Sequence, residues 1–175
     1  MLLLPWVLIK QFQELLQEKQ IRRVALRRGD QIRYEDLVLE ILAPDAQNRQ
    51  KNAREIHNNT IVFLLRKDGL RGLFTGDINS KVEEKLLAAD RERLAAQLLK
   101  VSHHGSNQST SGKFLAAVRP RVAVIGVGQR NSYGHPKQPL LERLQSVGAS
   151  VYRTDKNGTV RVTFSDHQLK IGTQR

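Results

Sequence analysis

Three short apolar runs in this chain each break off into a polar loop that contains a glycine. Leu70–Phe74 runs into Thr75-Gly76-Asp77, residues 97–102 run into His103-His104-Gly105-Ser106, and Val122–Val127 leads to Asn131-Ser132-Tyr133-Gly134-His135-Pro136. Segments of helical periodicity separate the runs: 79–89 with Val82, Leu86 and Leu87, then 112–118, then 138–147. Strand, polar loop and helix in strict alternation leave few architectures open. The strands must share a sheet with the helices layered on it, and the loops then fall at strand ends, where layered α/β folds bind ligands.

The rest of the chain extends this pattern. Leu8, Phe12, Leu15 and Leu16 recur at helical spacing and predict a helix over 8–19, with MLLLPWVLI read as a buried strand leading into it. Short strands follow at 23–26, 31–34 and 37–42, the last ending at Pro44. Residues 45–57 are polar and read as a loop. Asp68-Gly69 between 60–66 and 70–74 is a strong hairpin turn signal. Ser109 or Ser111 is placed to cap the helix at 112–118. The end reads as a meander of strands at 150–153, 159–164 and 168–171, with a turn at Asn157-Gly158. The fold class is α/β with a mixed sheet and flanking helices, in one domain spanning 1–175.

Composition narrows the chemistry. There is no cysteine, hence no disulfide framework, thiolate metal site or cysteine nucleophile. Any metal must be held by His and Asp. The net charge is +12, from 29 basic and 17 acidic residues, which favours a polyanionic partner, nucleic acid first and an anionic membrane surface second. The apolar start is nine residues long, against the roughly 20 needed to span a bilayer. It also lacks the basic region and small-residue cleavage site of a secretory signal, so the chain is expected to be soluble.

The three loops supply one aspartate and up to three histidines, a nitrogen and oxygen donor set suited to zinc or manganese. Gly76, Gly105 and Gly134 would let the backbone turn tightly beside an ion or phosphate. Each residue also has a plainer reading. Asp77 could cap the next helix, His135 could be an ordinary loop residue, and His103 and His104 could be one buried and one solvated histidine. Asn59 and Thr60 could serve only as strand entry. No G-x-S-x-G elbow accompanies Ser106, and Gly126-x-Gly128 lacks the third glycine of a dinucleotide site. His57 and His167 lie in polar segments and read as solvated.

Taken in order, FTGD, LKVSHHGS and NSYGHP, with Leu26-Arg27-Arg28-Gly29-Asp30, Asn58-Asn59-Thr60-Ile61-Val62 and Tyr152-Arg153-Thr154-Asp155, resemble one family. The chain, from about Lys10 to about Ile171, is similar to the C-terminal metallo-β-lactamase-type domain of the DNA internalization-related competence protein ComEC. The resemblance implies an αββα sandwich and metal-assisted hydrolysis of a phosphodiester, in a nuclease acting on DNA during uptake. It implies that Asp77 bridges two metal ions, zinc or manganese, that the His103-His104 pair supplies a ligand, with His103 favoured, and that His135 is the last ligand. Asp77, His103 and His135 are the implied catalytic set, and Asn59, Thr60, Ser106 and Tyr133 would support it. It further implies a bacterial cell-membrane parent with this domain on the outer face.

One departure matters. The superfamily carries an early His-x-[His/Asp]-x-Asp-His run, and here the first histidine is His57. The resemblance therefore implies the C-terminal half of the sandwich, a partial domain with an incomplete, weakly occupied site and little turnover. The alternative is a non-catalytic DNA-binding or structural module that needs a partner to complete its fold. One sheet face is expected to be partly uncovered, and self-association to follow. On extended backbone, adjacent side chains face opposite sides, so His104 is expected to point away from Asp77, His103 and His135.

Overall fold

The computed structural model describes residues 4–45, 59–165 and 168–175. Almost all of the expected 45–57 loop, together with His57, Asn58 and His167, lies outside the described residues. Seven strands form the main sheet: β1 (Gln31–Tyr34), β2 (Leu37–Ala43), β3 (Val62–Lys67), β4 (Leu70–Phe74), β5 (Leu98–Lys100), β6 (Val122–Ile125) and β7 (Ser150–Arg153). They lie side by side in sequence order. The pairs from β1 to β4 are antiparallel, and those from β4 to β7 are parallel. The mixed sheet of the sequence reading is therefore present.

Local chemistry explains the joints. Asp68 and Gly69 both take positive φ, 49° and 78°, and close the β3–β4 hairpin with Lys67 opposite Leu70, as a two-residue primed turn requires. Helices α2 (Ser80–Asp90), α3 (Gly112–Val118) and α4 (Gln138–Ser146) make the parallel crossovers. Their Val82, Leu86, Phe114, Leu115, Val118, Leu140 and Leu144 pack on Leu64, Leu73, Leu99 and Ala123 of one sheet face. The opposite face presents half-buried Leu39, Phe63, Leu65, Phe74, Val124 and Tyr152, with the Phe63 and Phe74 rings stacked 4.7 Å apart. Buried apolar area is worth about 25 cal/mol per Å², so the helix-covered face carries most of the stabilisation.

The sequence reading fails at three places. Residues 1–3 lie outside the described residues, and where a buried strand was expected to lead into a helix, Leu4–Glu18 is a single helix, α1. Val7, Leu8, Ile9, Phe12 and Leu15 are exposed on it, because α1 has no substantial packing partner among the described residues. Residues 23–26 form no strand. The C-terminal meander splits in two. Ser150–Arg153 joins the main sheet parallel to β6, while β8 (Thr159–Ser165) and β9 (Gln168–Gln174) form a separate hairpin. A helical turn, α5 (Thr154–Asn157), redirects the chain between them. Gly158 follows at φ 68°, where a Cβ would meet the Gln174 carbonyl oxygen at 2.2 Å.

Candidate functional site

The ends of β4, β5 and β6 are stitched together before any functional side chain is considered. Thr75, fully buried, donates its hydroxyl to the Lys100 carbonyl at 2.7 Å. The His103 amide donates to the Gly76 carbonyl at 3.0 Å, and the Lys137 amide to the Gly105 carbonyl at 2.9 Å. Gly105 must be glycine: its φ is 88°, and a Cβ would lie 2.4 Å from Pro136. Gly76 is similarly placed, since a Cβ there would lie 2.3 Å from Thr60 Cγ2. Thr60 thus packs against the first loop, whereas Asn59 is exposed.

Asp77 does not cap the following helix. Asn79 does, its side chain accepting from the Lys81 and Val82 amides, and the Asp77 carboxylate is left to the site. Ser111, not Ser109, caps α3, accepting from the Phe114 amide at 3.3 Å. Ser106 accepts from the Gln108 amide at 3.2 Å and so shapes the loop after the histidine pair.

The histidines are arranged differently from the strand rule. His103 (φ 47°, ψ 46°) and His104 (φ 53°, ψ 20°) are both left-handed, a costly state for non-glycine residues that clusters at functional sites. In such a turn neighbouring side chains diverge much less than across a strand. The two rings lie 6.5 Å apart, and His104 Nε2 comes to 3.8 Å from Asp77 Oδ1. His104 Nδ1 is 2.7 Å from the Gly126 carbonyl oxygen. A carbonyl only accepts, so Nδ1 carries the proton, and in the neutral ring Nε2 keeps a lone pair on the Asp77 side. His103 instead faces His135, with ring centroids 6.1 Å apart. The His135 ring stacks on exposed Tyr133 at 5.8 Å, and its Nδ1 is buried without a hydrogen-bond partner. Burial, with Lys137, His103 and His104 nearby, pushes its pKa down.

Four positioning residues went unread in the sequence. Asn131 bonds both the amide and the carbonyl of His135, at 2.7 and 2.9 Å. Glu83, almost fully buried, accepts from the Thr110 and Ser111 amides. Arg143 donates to Thr110, Ser109 and Asn107. Together Glu83 and Arg143 hold the loop beyond the histidine pair against α2 and α4. The fourth is Lys100, in an otherwise apolar strand. It runs along the helix-free face between Phe74 and Val124 and places its ammonium 3.1 Å from the Val101 carbonyl oxygen. Burial lowers its pKa, and Asp77 opposes that shift. A charge inside the LKV run was the available signal.

Comparison with known proteins gives the geometry its relatives. No protein-family profile matches the chain. It is 32% identical over 85% of its length to ComE operon protein 3 of Bacillus subtilis, and 37% identical over 65% to Competence protein ComA of Neisseria gonorrhoeae. A solved structure described as a metal-dependent hydrolase, from Parabacteroides distasonis, superposes with a TM-score of 0.51 at 17% identity, covering 79% of this chain and 60% of that one. That likeness concerns the fold. The chain is a metallo-β-lactamase-like domain of the ComEC type. It spans 18% and 17% of the length of the two curated relatives.

The donors at the loop end can be tested against a metal ion. His104 Nε2 beside Asp77 and the orphaned Nδ1 of His135 are chemically suited to a cation. Among the described residues, however, no three His, Asp or Glu side chains gather closely enough to hold an ion. Two half-sets are present, Asp77 with His104 and His103 with His135. As they stand they do not fit a complete centre. No described helix of the ComEC-type domain is long and apolar enough to cross a membrane.

Proposed function

We propose that this chain is the substrate-holding part of a DNA-hydrolysing competence domain, contributing Asp77, His103, His104 and His135 to a zinc or manganese centre that it does not complete by itself. The observation that carries this reading is the pairing of His104 with Asp77 at 3.8 Å, built from strand-end loops with two consecutive left-handed histidines. The competence names of the relatives and the +12 charge support DNA as substrate. Asn131, Tyr133, Thr60 and Ser106 act as supports rather than reacting groups. A parent protein in a bacterial cell membrane, with this domain on the outer face, fits the same reading.

The test is metal content together with phosphodiester hydrolysis. Purified chain is expected to carry well under one equivalent of zinc or manganese and to show negligible cleavage of single-stranded DNA. Robust metal-dependent cleavage by this chain, abolished by Asp77→Asn, would show that its own donors suffice. A second reading, a DNA-binding or structural module without chemistry, is favoured by the separation of the donors into two half-sets and by the exposed apolar side of α1. Self-association would cover that side. Added zinc separates the readings. Tighter DNA binding with zinc, lost in Asp77→Asn, supports the metal centre, and indifference to zinc supports the module.

A further inference from the structure

At the opposite end of the parallel strands, away from the histidine loops, a cavity of about 250 Å³ is walled by Arg71, Arg119, Arg121, Gln97 and Val118. The three arginines come from separate places: the second residue of β4, the residue after α3, and the residue before β6. No carboxylate lines the cavity, and the buried carboxylates of the molecule are engaged elsewhere. Asp90 lies 2.6 Å from Arg28 and 3.3 Å from Arg93, while Glu40 pairs with Arg93 and with Arg66 at 3.8 Å.

Two observations mark the cavity as more than a solvated basic surface. Arg71 Nε is buried with no hydrogen-bond partner, although its Nη2 donates to the Arg93 carbonyl. A buried donor without a partner is unfavourable, and an anion drawn to this guanidinium would offset that cost. Burial and the neighbouring Arg66 also both disfavour the charge on Arg71, a penalty that an anion would remove. The second observation is Arg119, left-handed at φ 52° as the C-cap of α3. Glycine commonly fills that position, so an arginine stands there at a backbone cost. Gln97 accepts from the Arg71 amide at 2.8 Å through Oε1, leaving its amide NH2 as a further donor.

We propose that Arg71, Arg119, Arg121 and Gln97 form a phosphate-binding site distinct from the histidine loops. Arginines contributed by three separate places in the fold suit a tetrahedral, multiply charged group better than a single carboxylate. The volume holds such a group with several waters, each taking about 30 Å³ in the liquid. The phosphate has two sources, a nucleic-acid backbone or a free phosphate ion. A backbone source rests on the DNA reading above; the site itself does not. Strands β4–β6 separate the two sites by their own length, roughly 10–17 Å at about 3.3 Å per residue, so one strand of nucleic acid could touch both.

The test uses inorganic phosphate and a single-stranded oligonucleotide as probes. Phosphate, against a chloride control at equal ionic strength, is expected to shift the Arg71 Nε–Hε resonance. The shift should be lost in the double variant Arg119→Gln/Arg121→Gln, whose exposed positions spare the fold. For the oligonucleotide, the same double variant should flatten the dependence of log affinity on log salt by about 1.4, at about 0.7 per contact on single strands. A phosphate shift together with a flatter slope supports the site with a nucleic-acid source. A shift with an unchanged slope supports it with free phosphate as the source. No phosphate shift of Arg71 overturns the proposal, even if the slope falls, because the arginines would then act only as diffuse surface charge. Asp77→Asn keeps the outcomes separable: if zinc leaves DNA binding unchanged while Asp77→Asn still shows the phosphate shift, the metal-centre reading falls and this site stands.

Discussion

The loop end of the sheet and the N-terminal helix invert the ordinary expectation about polar and apolar sequence. Residues 102–111 are polar and rich in histidine and serine, yet Ser102, Gly105, Ser106, Ser109 and Thr110 are buried. Glu83, Arg143 and the Gly76 and Gly105 carbonyls hold the segment in place. Helix α1 is the more apolar stretch, yet its Leu8 and Phe12 are each 60% exposed. The difference lies in partners. Buried hydrogen-bonding groups demand matched groups at fixed positions, and the loops supply them to one another. Apolar side chains need only some surface to cover them, and the described residues offer α1 no substantial one.

The sharpest test of that contrast puts one substitution in both places. Phe114→Ala, in the core beneath the loops, should cost about 3–5 kcal/mol in chemical denaturation. Phe12→Ala on α1 should stay within about 0.5 kcal/mol, and a large loss there would show that α1 is packed in solution. Glu83→Ala should cost about 2–3 kcal/mol, because it strands one buried amide, at about 1–3 kcal/mol, and a partly buried one that water can partly satisfy; an unchanged denaturation midpoint would mean that the loop is held otherwise. Gly105→Ala adds left-handed strain of about 1–3 kcal/mol to a clash with Pro136, and should broaden or shift the His104 and His135 NMR resonances. If those signals stay in place, the two loops do not depend on this contact.

The smallest expected effect is with pH. His135 has a lowered pKa in the fold, burial being the largest cause, so the fold favours its neutral form. The unfolded chain takes up the proton first as pH falls through the ordinary histidine value of about 6.5, and stability therefore declines on acidification from there until the folded-state value is reached. Urea midpoints between pH 7.5 and 5.5 should fall less steeply in His135→Gln than in the parent chain. Equal slopes would remove His135 as a contributor.

Much of the architecture was legible in the chain because it rests on short-range chemistry. Alternating strand and helix periods, the Asp68-Gly69 turn and the serine cap need only neighbours in sequence to be read. The candidate donors were legible as strand-end residues, since FTGD, HHGS and YGHP each come after an apolar run. Glu83 and Arg143 were not, because their partners lie far away in sequence: Glu83 meets residues 27 and 28 positions on, and Arg143 reaches back 33 to Thr110.

What the sequence determined by itself was the α/β layering, the charge, and which histidines and aspartate stand at strand ends. The tertiary structure decided how they pair. Alternation on a strand would have turned His104 away, but the strand stops at Lys100 and the chain coils left-handed through both histidines. It therefore brings His104 to Asp77 and His103 to His135. The Gly76 and Gly105 carbonyls and the Pro136 contact stabilise that turn from outside the segment. Backbone strain of this kind persists only where surrounding contacts over-determine it, and those contacts exist only once β4, β5 and β6 lie side by side.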